Sequence, residues 1–115
     1  ENYLIKALDY YDKNISALYY LGEVYLKRQR YEDALKVFKK GLVIDDEDYR
    51  FNFKVAKIYQ RDQNYEQAII FFNKVLNAKS NYDKALYSIG ECFSNQDDFK
   101  NAKTYLNKAI LSNVK

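Results

Sequence analysis

The stretch LYYLGEVYLKRQRYEDALKVFKKGL, residues 18 to 42, decides the fold of this chain. Leu18, Leu21, Val24 and Tyr25 fall three and four residues apart, which is the stripe of an amphipathic helix. Ala34, Leu35, Phe38, Gly41 and Leu42 form a second stripe of the same kind. The polar run Lys27 to Arg30 separates them. Two helices so close in sequence fold back as an antiparallel hairpin.

The same stretch recurs along the chain at an offset of 34 residues. Leu21 aligns with Val55 and Ile89, Gly22 with Ala56 and Gly90, and Tyr25 with Tyr59 and Phe93. Tyr31, Tyr65 and Phe99 coincide, as do Ala34, Ala68 and Ala102. Phe38, Phe72 and Leu106 follow, then Gly41, Val75 and Ala109. One step back from Phe38, Gly41 and Leu42 lie Leu4, Ala7 and Leu8. The chain therefore divides into repeats 15–48, 49–82 and 83–114, preceded by a half repeat over 1–14, about 3.5 in all. Asn14, Asp48 and Asn81 precede the first helices as N-caps, and Asn64 and Asp98 precede two of the second helices. Arg30 has no capping side chain to offer. Gly22, Ala56 and Gly90 are expected to face Ala34, Ala68 and Ala102 where the helices of each hairpin cross. The large rings beside them fill the remaining space.

Composition narrows the function classes. The chain has 115 residues and a net charge of +3, milder than the dense basic face of a duplex binder. It has no His, which removes the commonest general base and metal ligand. It has no Pro to interrupt a helix. No phosphate loop, metal-ligand cluster or nucleophile elbow is present, so the chain reads as no enzyme, with no cofactor and no metal. The acidic run Asp45, Asp46, Glu47 and Asp48 reads as a solvated loop leading into a helix. Cys92 reads as a buried, inert thiol, and a single Cys gives no sign of an oxidising compartment. An intracellular, cytoplasmic location is the expectation, with no membrane span and no signal peptide. A start at Glu1 reads as part of a longer protein.

The pattern Leu21-Gly22-x-x-Tyr25, then Tyr31-x-x-Ala34-x-x-x-Phe38-x-x-Gly41, resembles the tetratricopeptide repeat family over essentially the whole chain. The family's frequent early Trp is Leu18, Asn52 and Leu86 here, and its turn Gly is Gln29, Gln63 and Asp97. The resemblance implies an all-α fold, a right-handed α-solenoid of antiparallel hairpins. It also implies an inner groove, lined by the first helices, that holds segments of partner proteins.

The exposed positions expected on those helices are Ser16, Tyr19, Tyr20, Glu23 and Lys27, then Arg50, Phe53, Lys54, Lys57 and Arg61, then Lys84, Tyr87, Ser88, Glu91 and Asn95. Of these, Tyr19, Tyr20, Glu23, Arg50, Phe53, Lys54, Lys57, Arg61, Lys84, Tyr87 and Glu91 are the candidate partner-binding residues. Arg50, Lys54, Lys57 and Arg61 share one helix face. Like charges so spaced repel, which points to an acidic partner segment, or to pairing among Glu23, Lys57 and Glu91 at equivalent sites. Tyr19, Phe53 and Tyr87 form an aromatic row suited to hot spots, or to stacking between repeats.

The clamp by which some family members hold the Hsp70 or Hsp90 tail would map to Tyr19, Glu23, Lys54, Lys84 and Ser88. Lys84 is the match, and Glu23 opposes a carboxylate ligand. The expected partners are thus other proteins, not that tail, not nucleic acid and not membrane. A scaffold or spacer subunit without a dedicated peptide site is the alternative. The outer face of the last helix keeps Tyr105, Leu106 and Ile110, which points to contact with further repeats or subunits.

Overall fold

The computed structural model describes residues 14–113. The half repeat expected over 1–14 lies outside the described residues except for Asn14. The described residues form six α-helices: α1 Ile15–Lys27, α2 Tyr31–Ile44, α3 Tyr49–Arg61, α4 Tyr65–Ala78, α5 Asp83–Asn95 and α6 Phe99–Asn113. They pair as three hairpins, α1 with α2, α3 with α4 and α5 with α6. The contacts group into two units, divided after Asp46.

The described part of the first unit is one hairpin. Asn14 caps α1, its Oδ1 accepting from Ala17 N at 3.1 Å. Leu18, Leu21 and Tyr25 of α1 are buried, as are Ala34 and Phe38 of α2. The ring of Phe38 lies against Gly22, in the space a Cβ would take. The small position at the crossing thus lets the helices approach closely, as the repeat pattern predicts. Arg30 offers α2 no side-chain cap but bonds forward, its Nε donating to Asp33 Oδ2 at 2.8 Å.

The second unit holds the other two hairpins, with α5 packed on α4. Its core joins Ala56, Ala68, Phe72 and Val75 of the second hairpin to Ala85, Ile89 and Cys92 of α5. Ala56 and Ala68 are both fully buried at their crossing. At the next crossing a Cβ on Gly90 would meet Leu106 Cδ2 at 2.7 Å. Ring pairs repeat with the sequence: Tyr59 against Phe71 and Phe93 against Tyr105, each at 5.7 Å. The ammonium of Lys74 lies 4.6 Å from the Phe71 ring, and that of Lys108 lies 4.7 Å from Tyr105.

The turn inside each hairpin is the same structure three times. Gln29, Gln63 and Asp97 adopt left-handed backbone, with φ of 60°, 62° and 62°. In the first turn Arg30 N donates to Tyr25 O at 2.9 Å and Gln29 N to Leu26 O at 3.0 Å. In the second, Asn64 N reaches Tyr59 O and Gln63 N reaches Gln60 O; in the third, Asp98 N reaches Phe93 O and Asp97 N reaches Ser94 O. These paired bonds are the Schellman ending, which satisfies carbonyls that a helix terminus would otherwise leave open.

Two capping expectations are corrected. Asn81 is not the N-cap of α5; Tyr82 is, without a side-chain bond. α5 starts at Asp83, 34 residues after Tyr49, so the counterpart of the Asp48 cap is Tyr82 and Asn81 lies one residue out of register; the ring of Tyr82 packs on Tyr49 and Phe53, at 5.7 and 5.5 Å. Asn64 stands at the start of α4 but makes no side-chain capping bond. Asp48 and Asp98 do cap, accepting from Arg50 N at 3.0 Å and Asn101 N at 3.2 Å.

Candidate functional site

The candidate residues lie on α1, α3 and α5, the first helix of each hairpin. On α1, Tyr20 is 66% exposed and meets Tyr19 edge to face at 5.8 Å. Tyr19 is half-buried, its ring 6.1 Å from that of Phe38, so it is partly spent on the hairpin core. Glu23 is half-buried on the same helix.

On α3 the four cations are in different situations. Arg50 is half-buried and folded back on the cap of its own helix. Its Nε donates to Asp48 Oδ1 at 3.2 Å and its Nη2 to Asp48 Oδ2 at 3.0 Å. That two-point bond is the strong form of Arg–carboxylate pairing. At the other end, Arg61 is exposed and lies 3.4 Å from Asp62 Oδ1. Between them, Lys54 is half-buried and Lys57 exposed. The acids at the ends offset the repulsion that the bare spacing implies.

Phe53 divides its surface. It is half-buried, with its ring edge to face against Phe72 at 5.7 Å and Tyr82 at 5.5 Å. Much of this ring therefore joins two repeats. Tyr87, its counterpart on α5, is 53% exposed. Lys84 is exposed one turn earlier. Ser88 corrects an expectation: it is 2% exposed, not a groove-facing side chain. It falls on the buried edge of α5 between Ala85 and Cys92, at spacings of three and four.

The structure adds a residue that sequence reasoning missed. Gln60 of α3 donates through Nε2 to Glu91 Oε1 of α5 at 3.1 Å, a polar bridge between successive first helices. The two are separated by 31 residues, so an offset of 34 does not align them. Beside this bridge lies the thiol of Cys92, fully buried. Burial pushes its pKa up to about 11; Glu91 adds to the rise and Lys57 opposes it. The thiol is thus held protonated, the inert state expected of it. Asp45, Asp46 and Glu47 are exposed, and Asp48 serves the helix cap.

A family model described as tetratricopeptide repeat matches residues 15–48, and a second of the same description matches 49–82 and 83–113. Among solved structures the chain is similar to MamA, with a TM-score of 0.90 at 19% identity, over 95% of this chain and 64% of that one. It is similar to the Yersinia enterocolitica type III secretion chaperone SycD in complex with a peptide of the translocator YopD. That match has a TM-score of 0.83 at 24% identity, over 87% of this chain and 76% of SycD. It is also similar to the second repeat domain of Spaghetti (RPAP3) bound to an HSP90 peptide, with a TM-score of 0.80 at 21% identity, over 87% and 94%. The chain thus spans under two thirds of the MamA chain. No curated protein matches the sequence. At these identities the likeness carries the fold: all-α, a solenoid of helical hairpins. Among the described residues no helix is long and apolar enough to cross a membrane.

Proposed function

Because this chain belongs to the tetratricopeptide repeat family, a family of typically non-catalytic protein-interaction modules, we propose that it holds a segment of a partner protein on the exposed faces of its first helices. The observation that carries this reading is the charge arrangement on α3. Asp48 and Asp62 stand at the ends of the basic stripe, and Lys54 and Lys57 make its centre. An acidic segment lying along α3 would meet cations without having to displace the acids at either end. Tyr87 offers an exposed ring on α5, the next first helix of the same unit, a large contact area with few torsions to freeze. SycD and the RPAP3 domain were each solved with a peptide of a partner, which supports segment binding as the mode.

The segment is not the chaperone tail in this proposal. The position that the clamp gives to its last cation is Ser88, which is buried, and Glu23 brings a carboxylate to a carboxylate ligand. Nucleic acid is a poor fit too, since Glu91 of α5 is bonded to Gln60 of α3 and sets a carboxylate beside the basic stripe. An intracellular location belongs to the same proposal and rests on the lone thiol of Cys92, buried and unpaired with another sulfur.

The test is an array of acidic peptides, with the carboxylate-terminated HSP90 tail among them. The chain and a Lys54→Glu/Lys57→Glu variant are compared on it. Selected acidic peptides should bind the chain, weaken as salt is raised, and fail on the variant while its melting curve is unchanged. The tail peptide should bind no better than its amidated form. Equal binding by chain and variant sinks the proposal. In that case the scaffold reading gains, favoured by Ile110 and Leu111, which stand 62% and 71% exposed on α6.

A further inference from the structure

Glu91 stands half-buried on α5, beside the basic stripe of α3. Its Oε1 accepts from Gln60 Nε2 at 3.1 Å. Among the described residues its carboxylate has that one hydrogen bond and no ion pair. Lys57 lies three residues before Gln60 on α3 and is exposed. Its ammonium also meets no acid at ion-pair distance among the described residues. The pairing of Lys57 with Glu91 that their equivalent positions suggest is therefore not made. Both charges still act on one atom, the Cys92 sulfur, whose pKa Glu91 raises and Lys57 lowers.

The Gln60 amide holds the carboxylate in place. An ionised carboxylate only accepts, so the amide end that meets it is the donor. Gln60 Oε1 is turned inward, buried and without a hydrogen bond. An unserved buried acceptor is unfavourable, and the arrangement tolerates it while Glu91 Oε2 keeps its capacity to accept. A partly desolvated carboxylate with a single neutral donor is short of counter-charge. Its openness does not depend on what lies beyond α6. Lys57, its counterpart at an offset of 34, is exposed with α5 in place after it.

We infer that the partner segment is bipolar, with acidic residues over Lys54 and Lys57 and a Lys or Arg over Glu91. This rests on the acidic-segment reading and extends the path of the segment from α3 onto α5. The spacing follows from the helices. α3 and α5 are close enough for the Gln60–Glu91 bond, and neighbouring helices lie roughly 8–10 Å apart. Extended chain advances about 3.3 Å per residue, so the basic residue sits about three positions from the acids. A segment acidic throughout would set a carboxylate against Glu91, a juxtaposition that selects against it. Lys54 and Lys57 thus supply attraction, and Glu91 decides which acidic segments are admitted and in which register.

The probes are synthetic peptides, capped at both ends and titrated into the full chain. One carries Asp-Asp-Ser-Ser-Arg in a Gly-Ser background, a second has Gln in place of the Arg, and a third has Glu there. Each is made in both chain orders. In one order the Arg peptide should bind about fivefold more tightly than the Gln peptide, the upper end for a partly exposed ion pair. The Glu peptide should bind more weakly than both. Glu91→Gln keeps an acceptor for Gln60, so it should melt as the parent does, and it should bind the Arg and Gln peptides alike. Glu91→Lys should favour the Glu peptide. Equal binding of the Arg and Gln peptides by the parent chain overturns the inference, as does a preference that Glu91→Gln leaves intact. In either case, binding that Lys54→Glu/Lys57→Glu abolishes would leave the acidic-segment reading standing. If no peptide binds the parent chain, both fall.

Discussion

The ring of Phe38 fills the place where a Cβ on Gly22 would stand. The two helices of the first hairpin therefore meet through a residue with no side chain, and the ring is held by the fully packed core around it. Gly22→Ala gains about 1 kcal/mol of helix propensity but must displace an aromatic ring. The expected net result is a loss of roughly 1–3 kcal/mol from overpacking. At Gly90 the obstacle is Leu106, half-buried and flexible, at 2.7 Å. Gly90→Ala should cost less than Gly22→Ala. Urea unfolding of both variants checks the order; a Gly90→Ala loss equal to or larger than that of Gly22→Ala contradicts it.

The left-handed turns make a second prediction, of opposite sign. Gln29, Gln63 and Asp97 hold positive φ without being glycine, which costs on the order of 1–2 kcal/mol each. Glycine removes that strain but loses some ground through the greater entropy of its unfolded chain. Gln63→Gly should raise the unfolding midpoint, by up to about 1 kcal/mol, and Gln63→Val should lower it. A lowered midpoint for the glycine variant would count against the turn as described.

Asp48 holds two things at once, the first turn of α3 and the guanidinium of Arg50. Asp48→Ala should cost about 1–2 kcal/mol, the upper part of the range for a lost N-cap. Arg50→Gln should cost less, because the cap survives it. The pair is also a control on charge: Asp48→Asn keeps capping capacity and removes the ion pair, so it should fall between them. Denaturant midpoints of the three variants decide the ranking.

The thiol of Cys92 predicts a pH dependence. Its folded pKa, about 11, lies above the ordinary 9.0. The protonated form is the one that the fold prefers. The contribution is therefore complete below pH 9.0 and is lost as pH rises from there through about 11. Tyr and Lys groups titrate in the same region, so the measurement is a difference. The stability of the chain minus that of Cys92→Ala should fall between those pH values and be flat below them. At neutral pH the native thiol should react with disulfide reagents at the rate of opening of the second unit, far more slowly than in denaturant. Fast labelling of the native chain would contradict its burial.

The repeat was legible in the sequence because packing at a helix crossing demands small residues at fixed places. Gly22, Ala56 and Gly90 recur for that reason, and the structure puts each at its crossing or in the core beside it. Caps were legible where a short acid or amide had no competing task, at Asn14, Asp48 and Asp98. At Asn81 the reading slips by one residue, since the counterpart of Asp48 at an offset of 34 is Tyr82, whose ring has no carboxylate or amide to offer the helix start. The site was harder to read. The 34-residue register ranks Ser88 as exposed, with Tyr20 and Lys54, and only its spacing from Ala85 and Cys92 hints otherwise. Gln60 and Glu91 could not be paired by an alignment that matches like positions, since their bond joins unlike ones. Arg50 looked like a free groove cation because its carboxylate partner stands two residues upstream, in the stretch read as loop.

The three identical turns also bear on how such a chain can change over generations. Each hairpin carries its own stop signal, made from backbone bonds that do not consult the side chains of its neighbours. A duplicated stretch of 34 residues would therefore arrive already knowing where to bend. Heredity can lengthen or shorten such a protein in whole modules, leaving selection to work on the faces between and beside them.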